Sequence, residues 1–304
     1  MKNLFVKTPL IESRHLSERI GKKVFLKMEC FQPSGSFKNR GIGKLVEFYS
    51  KQGKKGIVAT SGGNAGLAAA FAAGQLNIPA KVVVPKSALP FMIDKIRKEG
   101  AEVIQHGAHW SEANELAQEI AKTNDFGYVS PFDHPQIWKG HATLVHEIGE
   151  TGIKPDAIVL SVGGGGLMNG VVHGLWNVGW MNTAVITSEP EEPSALAQSV
   201  AAGKRVFLDH PRSVATSLCA PYISEETFEL TKKHLVIPQI VSDESTTSAC
   251  IQFAEDHRVL VEPACGAALA LLYKNVAALS DFHTIVVVVC GGNLVNCDMI
   301  QTWK

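Results

Sequence analysis

Four short glycine-containing turns hold the residues best able to do chemistry. The first, Pro33-Ser34-Gly35-Ser36-Phe37-Lys38-Asn39-Arg40-Gly41, sets one lysine behind a run of small residues. Small residues leave backbone N–H groups open and let a ligand come close. A partly buried Lys38 is then a candidate amine nucleophile; the segment by itself equally suits a solvated lysine opening a helix. The second, Thr60-Ser61-Gly62-Gly63-Asn64-Ala65-Gly66, stands between a β-branched run and an alanine-rich one. A helix opening there offers unpaired N–H groups to a carboxylate or phosphate. Asn64 could meet a ring hydroxyl or simply cap the helix.

The third turn is Gly163-Gly164-Gly165-Gly166. Four successive glycines cost conformational entropy on folding. What offsets that cost is a concave nest of N–H groups able to surround a phosphate. The turn is neither a dinucleotide fingerprint nor a P-loop, because G-x-G-x-x-G does not open it and G-K-[ST] does not close it. Glu189 nevertheless stands near the distance at which a nicotinamide site keeps its acidic residue. The fourth turn, Cys290-Gly291-Gly292-Asn293, ends an apolar run. It puts a small thiol at the carboxyl edge of a strand, where open α/β sheets bind ligands. A buried structural cysteine is the plainer alternative.

These turns lie at junctions between strand-like and helix-like stretches. Short apolar runs at 57–60, 81–84, 101–104, 157–160, 184–186 and 285–289 are mostly continuous rather than alternating, as in strands buried on both faces of a parallel sheet. Helical stretches are read at 67–76, 111–122, 167–178, 246–256 and 264–273. Strand, glycine turn, helix is the repeating unit, which predicts an α/β fold. The aromatic, turn-rich segment 128–138 reads as a dividing loop, and 190–193 as an exposed one.

Composition narrows the partners. The 304 residues are 45% hydrophobic and 19% charged, enough for a substantial core. Lys+Arg and Asp+Glu both number 29, so bulk charge draws the chain to neither nucleic acid nor an anionic membrane. The most apolar run, at 285–290, is far too short to span a bilayer. The opening residues are too polar for a signal peptide. Six scattered cysteines form no CxxC pair, so a reducing, cytoplasmic setting is expected. The expected partner is a small molecule.

Together the four turns resemble those of fold-type II pyridoxal-phosphate enzymes, the tryptophan-synthase β family. Within it the chain is similar to the short L-serine dehydratase/L-threonine deaminase branch. The resemblance runs from Thr8-Pro9-Leu10 through Asn293 and takes in Val261-Glu262-Pro263-Ala264-Cys265-Gly266-Ala267-Ala268. It also takes in Pro131-Phe132-Asp133-His134-Pro135 and Trp138-Lys139-Gly140-His141. It implies two open, mostly parallel sheets flanked by helices, with the active site between domains. The large domain would be discontinuous, 1–32 and 136–304, and the small one 33–135. It further implies pyridoxal 5'-phosphate as cofactor, an amino acid as substrate and a homodimer. Lys38 would carry the cofactor as a Schiff base and then act as the base at the substrate Cα. Phe37 would pack beside the pyridine ring, and Asn64 would bind its 3'-oxygen. Gly163, Gly164, Gly165 and Gly166 would hold the phosphate, and Cys290 would face the pyridine nitrogen. Ser61, with Gly63, Asn64 and Ala65, would hold the substrate carboxylate. Lys38 and Ser61 are the expected catalytic residues.

A neutral thiol at the pyridine nitrogen brings no charge to the ring. A modest electron sink suits prompt loss of a β-leaving group. The expected reaction is elimination of water from L-serine or L-threonine, giving pyruvate or 2-oxobutanoate plus ammonia. A β-replacement enzyme similar to cysteine synthase, or a non-catalytic binder of the cofactor or an amino acid, is the alternative. Racemase-like relatives carry a serine where this chain has Gly62; here the face opposite Lys38 lacks a side-chain acid or base, and the turn is expected to have extra room. No metal ligand set is assigned: His134, His141, His146 and Glu147 match no zinc spacing. Related enzymes place a monovalent cation near Glu189, but the stretch at 190–193 departs from them.

Overall fold

The computed structural model describes residues 4–303. They form two compact units, one of residues 4–6 with Gln32–Gly140, the other of Lys7–Phe31 with 141–303. The strands in chain order are β1 (Leu10–Glu12), β2 (Lys23–Lys27), β3 (Gly56–Thr60), β4 (Ala80–Val84), β5 (Glu102–Gln105), β6 (Phe126–Val129), β7 (Ala157–Ser161), β8 (Ala184–Pro190), β9 (Val236–Val241) and β10 (Thr284–Val288).

In the first unit four parallel strands run in the order β5-β4-β3-β6. Alternate residues of β3 point to opposite faces, and both faces are covered. Ile57 and Ala59 pack with Ile42, Leu45 and Val46 of helix Lys38–Lys51 and with Ala65, Ala68, Ala69 and Ala72 of helix Asn64–Leu76. Val58 faces the other way, onto Val83 and Ala113 and Ala117 of helix Trp110–Asn124. In the second unit the order is β1-β2-β10-β7-β8-β9, and every pair but β1–β2 is parallel. Helix Pro263–Tyr273 is buried along its whole length. The fold is thus α/β with two mostly parallel sheets flanked by helices. No helix among the described residues is long and apolar enough to cross a membrane.

Both strand orders reverse once. In the first sheet the chain winds from β3 to β4 to β5, then returns to lay β6 on the other side of β3. In the second it winds from β7 to β8 to β9, then lays β10 on the other side of β7. The crevice outside the carboxyl ends of two strands that diverge in this way is where open α/β sheets take ligands. The turns opening on these two crevices are those after β3 and β6, and those after β7 and β10.

Several expectations are corrected. The boundaries at 32/33 and 135/136 give way to divisions at Val6/Lys7, Phe31/Gln32 and Gly140/His141. Leu4 to Val6 go with the small unit because Leu4 joins its core and Gln32 brackets Val6, donating to its carbonyl and accepting from its N–H, both at 2.9 Å. Gly140 stays there because it packs on the Arg40 backbone too tightly for a Cβ. Residues 1–3 of the expected large domain lie outside the described residues. The segment 128–138 is only partly a loop: Tyr128 and Val129 end β6, and helix Pro135–Gly149 begins within it. Pro190 ends β8 and is buried, as is Pro193, so only Glu191 and Glu192 stand exposed.

Candidate active site

The loop before Lys38 is clamped from both sides. Asn39 Oδ1 accepts from the Ser34 N–H at 2.8 Å and from the Ser34 hydroxyl. Gly35 has φ +73° and donates to the Gln32 carbonyl at 2.7 Å. Phe37 precedes the helix and Lys38 is its first residue. The half-buried Lys38 side chain donates from Nζ to the carbonyl of Pro131, two residues beyond β6. Its nitrogen also lies 5.1 Å from the centre of the Phe37 ring. The amine is therefore held at the crevice beside β3 and β6.

Ser61 to Gly63 leave the end of β3 and enter helix Asn64–Leu76. Gly66 has no space for a side chain, since a Cβ would collide with the Ser61 carbonyl. The turn is therefore folded back on the first helical turn. Ser61 Oγ accepts from the Gly63 N–H at 3.2 Å, which leaves the hydroxyl proton free to point elsewhere. Among the described residues, the N–H groups of Ala65 and Gly66 donate to no protein acceptor. Asn64 does not cap this helix; Gly63 occupies the cap position without a side-chain bond, and Asn64 is buried as the first helical residue. Three residues that the sequence did not single out hold the turn from behind. Trp110 Nε1 donates to the Thr60 carbonyl at 3.1 Å, and Asn114 Oδ1 accepts from the hydroxyls of Thr60, at 3.3 Å, and Tyr128.

In the second unit the tetraglycine joins β7 to helix Gly166–Asn177. Gly165 has φ +94°, and a Cβ there would collide with the hydroxyl of Thr227. A Cβ on Gly163 would lie 3.2 Å from Leu218 Cα. Among the described residues none of the four glycine N–H groups donates to a protein acceptor. Four open donors at a helix N-terminus form an anion cradle.

Cys290 follows β10 and its neighbour Val289, and it is buried. Its thiol is pushed well above the usual range, first by a hydrogen bond with Cys265, then by burial and by the nearby Cys265, Glu262 and Cys30. It is a neutral thiol at ordinary pH. Glu262 ties this edge together: Oε1 accepts from the Ser217 hydroxyl at 2.7 Å, and Oε2 accepts from the Leu294 N–H at 3.1 Å. Glu189 is also buried, and burial raises its carboxyl to about 7. It accepts from the N–H groups of Leu196 and Ala197, both at 2.8 Å. That engagement turns it to helix Ala195–Ala202 and leaves the nicotinamide reading without its acidic residue.

Phe37, Lys38, Ser61, Gly63, Asn64 and Ala65 thus lie in the first unit, and Gly163 to Gly166 and Cys290 in the second. Each group stands at the switch point of its own sheet. The family model described as "Pyridoxal-phosphate dependent enzyme" matches residues 2–291. The chain belongs to the pyridoxal-phosphate-dependent enzymes. Within that family it is 44% identical to the mouse L-serine dehydratase/L-threonine deaminase, over 100% of this chain and 96% of that one. The crystal structure of a fungal L-serine ammonia-lyase from Rhizomucor miehei superposes with a TM-score of 0.92 at 36% identity, covering 99% of this chain and 98% of that one. Maize serine racemase superposes with a TM-score of 0.91 at 27% identity, covering 98% and 91%. The residues of this pyridoxal-phosphate enzyme fit its cofactor. The tetraglycine offers a cradle of open N–H groups for a phosphate, and Lys38 offers an amine for an aldehyde.

Proposed function

We propose that this chain is an L-serine/L-threonine ammonia-lyase, releasing pyruvate or 2-oxobutanoate together with ammonia. The observation that carries the reading lies within the first unit. There a lysine amine stands at the β3/β6 crevice, the end of β3 leads into a helix start with open N–H groups, and position 62 has no side chain. The serine racemase likeness shows that the fold alone does not separate elimination from racemisation, so the separation falls to Gly62.

The cofactor, when bound, supplies the electron-withdrawing ring that makes a substrate Cα–H acidic. Lys38 would hold it through Nζ, and the same amine stands where it would take the Cα proton on its own face. Phe37 would pack beside the ring, Asn64 would meet its 3'-oxygen, and Gly163 to Gly166 would hold its phosphate. Cys290, kept neutral by Cys265 and by burial, brings no fixed charge to the ring nitrogen. The Ser61 hydroxyl and the backbone of Gly63, Asn64 and Ala65 would hold the substrate carboxylate, fixing Cα before Lys38. Loss of the β-hydroxyl as water leaves an enamine, which takes up water and releases ammonia and the 2-oxo acid.

The direct test is incubation of the purified holoenzyme with L-serine and with L-threonine. Equal amounts of 2-oxo acid and ammonia are expected. Sulfide-dependent cysteine formation without 2-oxo acid would replace this reading with β-replacement. We also propose a cytoplasmic homodimer. All six cysteines are free thiols, which supports a reducing setting; sedimentation of the holoenzyme at the mass of one chain would remove the dimer.

A further inference from the structure

Behind the tetraglycine lies a closed ring of three side chains, each with no solvent exposure. Asn169 belongs to helix Gly166–Asn177, Ser224 caps helix Glu225–Lys233, and Thr227 lies in that helix's first turn. The Asn169 amide donates to Ser224 Oγ at 3.1 Å, Ser224 donates to Thr227 Oγ1 at 2.8 Å, and Thr227 donates to Asn169 Oδ1 at 2.8 Å. The three bonds run in one sense round the ring, so each side chain both donates and accepts, which favours a rigid network.

We propose that Asn169, Ser224 and Thr227 are positioning residues that aim the glycine N–H groups at the cofactor phosphate. The proposal rests on the nest being the phosphate site. The three residues meet the loop at three points, Thr227 through its side chain and Ser224 and Asn169 through their backbone N–H groups. The Ser224 N–H holds the Gly164 carbonyl at 3.0 Å. A trans peptide points its carbonyl and N–H in opposite directions, so drawing the Gly164 carbonyl toward Ser224 turns the Gly165 N–H away from it, out of the protein's own hydrogen bonds. The Thr227 hydroxyl fills the place of a Gly165 side chain, which holds that residue at φ +94°. The Asn169 N–H holds the Gly165 carbonyl at 2.9 Å and so fixes where the helix begins. A ring that served stability alone would touch no single ligand group more than another. A ring that orients N–H donors matters to a phosphate and not to the rest of the cofactor.

The test compares two ligands of the apoprotein by absorbance titration: pyridoxal 5'-phosphate, and pyridoxal, which has the same ring and aldehyde without the phosphate. The unmodified chain should bind the phosphorylated form more tightly. Thr227→Val, close to the same shape without the hydroxyl, should weaken that form about tenfold and change pyridoxal less than twofold. Thr227→Ser should restore the loss, because it returns the hydroxyl. Asn169→Leu breaks the ring from the other side and carries the same test if Thr227→Val does not fold. Equal weakening of both ligands, or no selective change in a folded variant, overturns the positioning role while leaving the phosphate site intact. An unmodified chain that binds both ligands equally overturns the phosphate site and the proposal with it.

Discussion

A Cβ built on Gly62 would lie 2.9 Å from the Ala88 methyl and 3.7 Å from Val84 Cβ. The extra room expected from the sequence is therefore already filled, and the constraint is steric, since Gly62 is not among the glycines at positive φ. Gly62→Ala should keep elimination as the reaction and lower stability by about 1–2 kcal/mol through overpacking, read as a shift in denaturant midpoint. Inverting Cα needs a proton delivered to the face opposite Lys38. Gly62→Ser combined with Ala88→Gly is the variant that makes space for such a group. Chiral analysis of residual serine should show the L form alone for the unmodified enzyme, with D-serine rising only in the double variant. Substantial D-serine from the unmodified enzyme would overturn one-faced chemistry. At Lys38 the expectation is simpler. Borohydride reduction of the holoenzyme should fix the cofactor to the peptide holding Lys38, and Lys38→Ala should lose both label and turnover; label on another lysine would sink the assignment.

Single residues work here because the elements deliver them to two sheet edges. Strands such as β3, β7 and β10 were legible because strands buried on both faces read as unbroken apolar runs. The glycine turns were legible because a backbone that must approach a ligand admits few other residues. What was not legible came from tertiary neighbours. β9 carries a proline and a partly exposed face, so its pattern is weak. Asn169 lies more than fifty residues from Ser224 and Thr227 in sequence, and all three are ordinary helix and cap residues until the fold joins them. Trp110 and Asn114 likewise gain their hold on Thr60 only through packing of helix Trp110–Asn124 on β3. At the element scale the sharpest expectation concerns Gly165. Its side-chain direction points at Thr227, not into the nest, so even alanine must break the turn. With φ at +94° added, Gly165→Ala should cost several kcal/mol, on the order of 2–4. It should also reduce phosphate-dependent cofactor binding in parallel. Unchanged affinity and unfolding midpoint would refute the turn geometry.

For the molecule as a whole, the return of the first residues to a different unit was visible only through family resemblance, because contacts such as Gln32 with Val6 leave no periodic trace. The global consequence of one buried carboxylate was likewise hidden until its surroundings were known. Glu189 has no solvent exposure, and two backbone N–H groups do not offset its desolvation, so its carboxyl rises from 4.5 to about 7. The folded state then holds this proton more tightly than the unfolded chain does. Stability from this group is fully present below about 4.5 and is lost as pH rises to about 7, by about 3 kcal/mol. Other groups tilt the profile the opposite way. Burial lowers His234 and His257, and such histidines add stability as pH climbs from their lowered value to the unfolded one. The informative quantity is therefore a difference. Urea unfolding of the unmodified protein and of Glu189→Gln, followed between pH 5 and 8, should give curves that converge on the acid side. The variant should gain relative stability as pH rises toward 7 and hold that gain above it, because the amide has no charge to bury. A difference that stays flat across that range would mean that Glu189 ionises in the folded protein as it does in water.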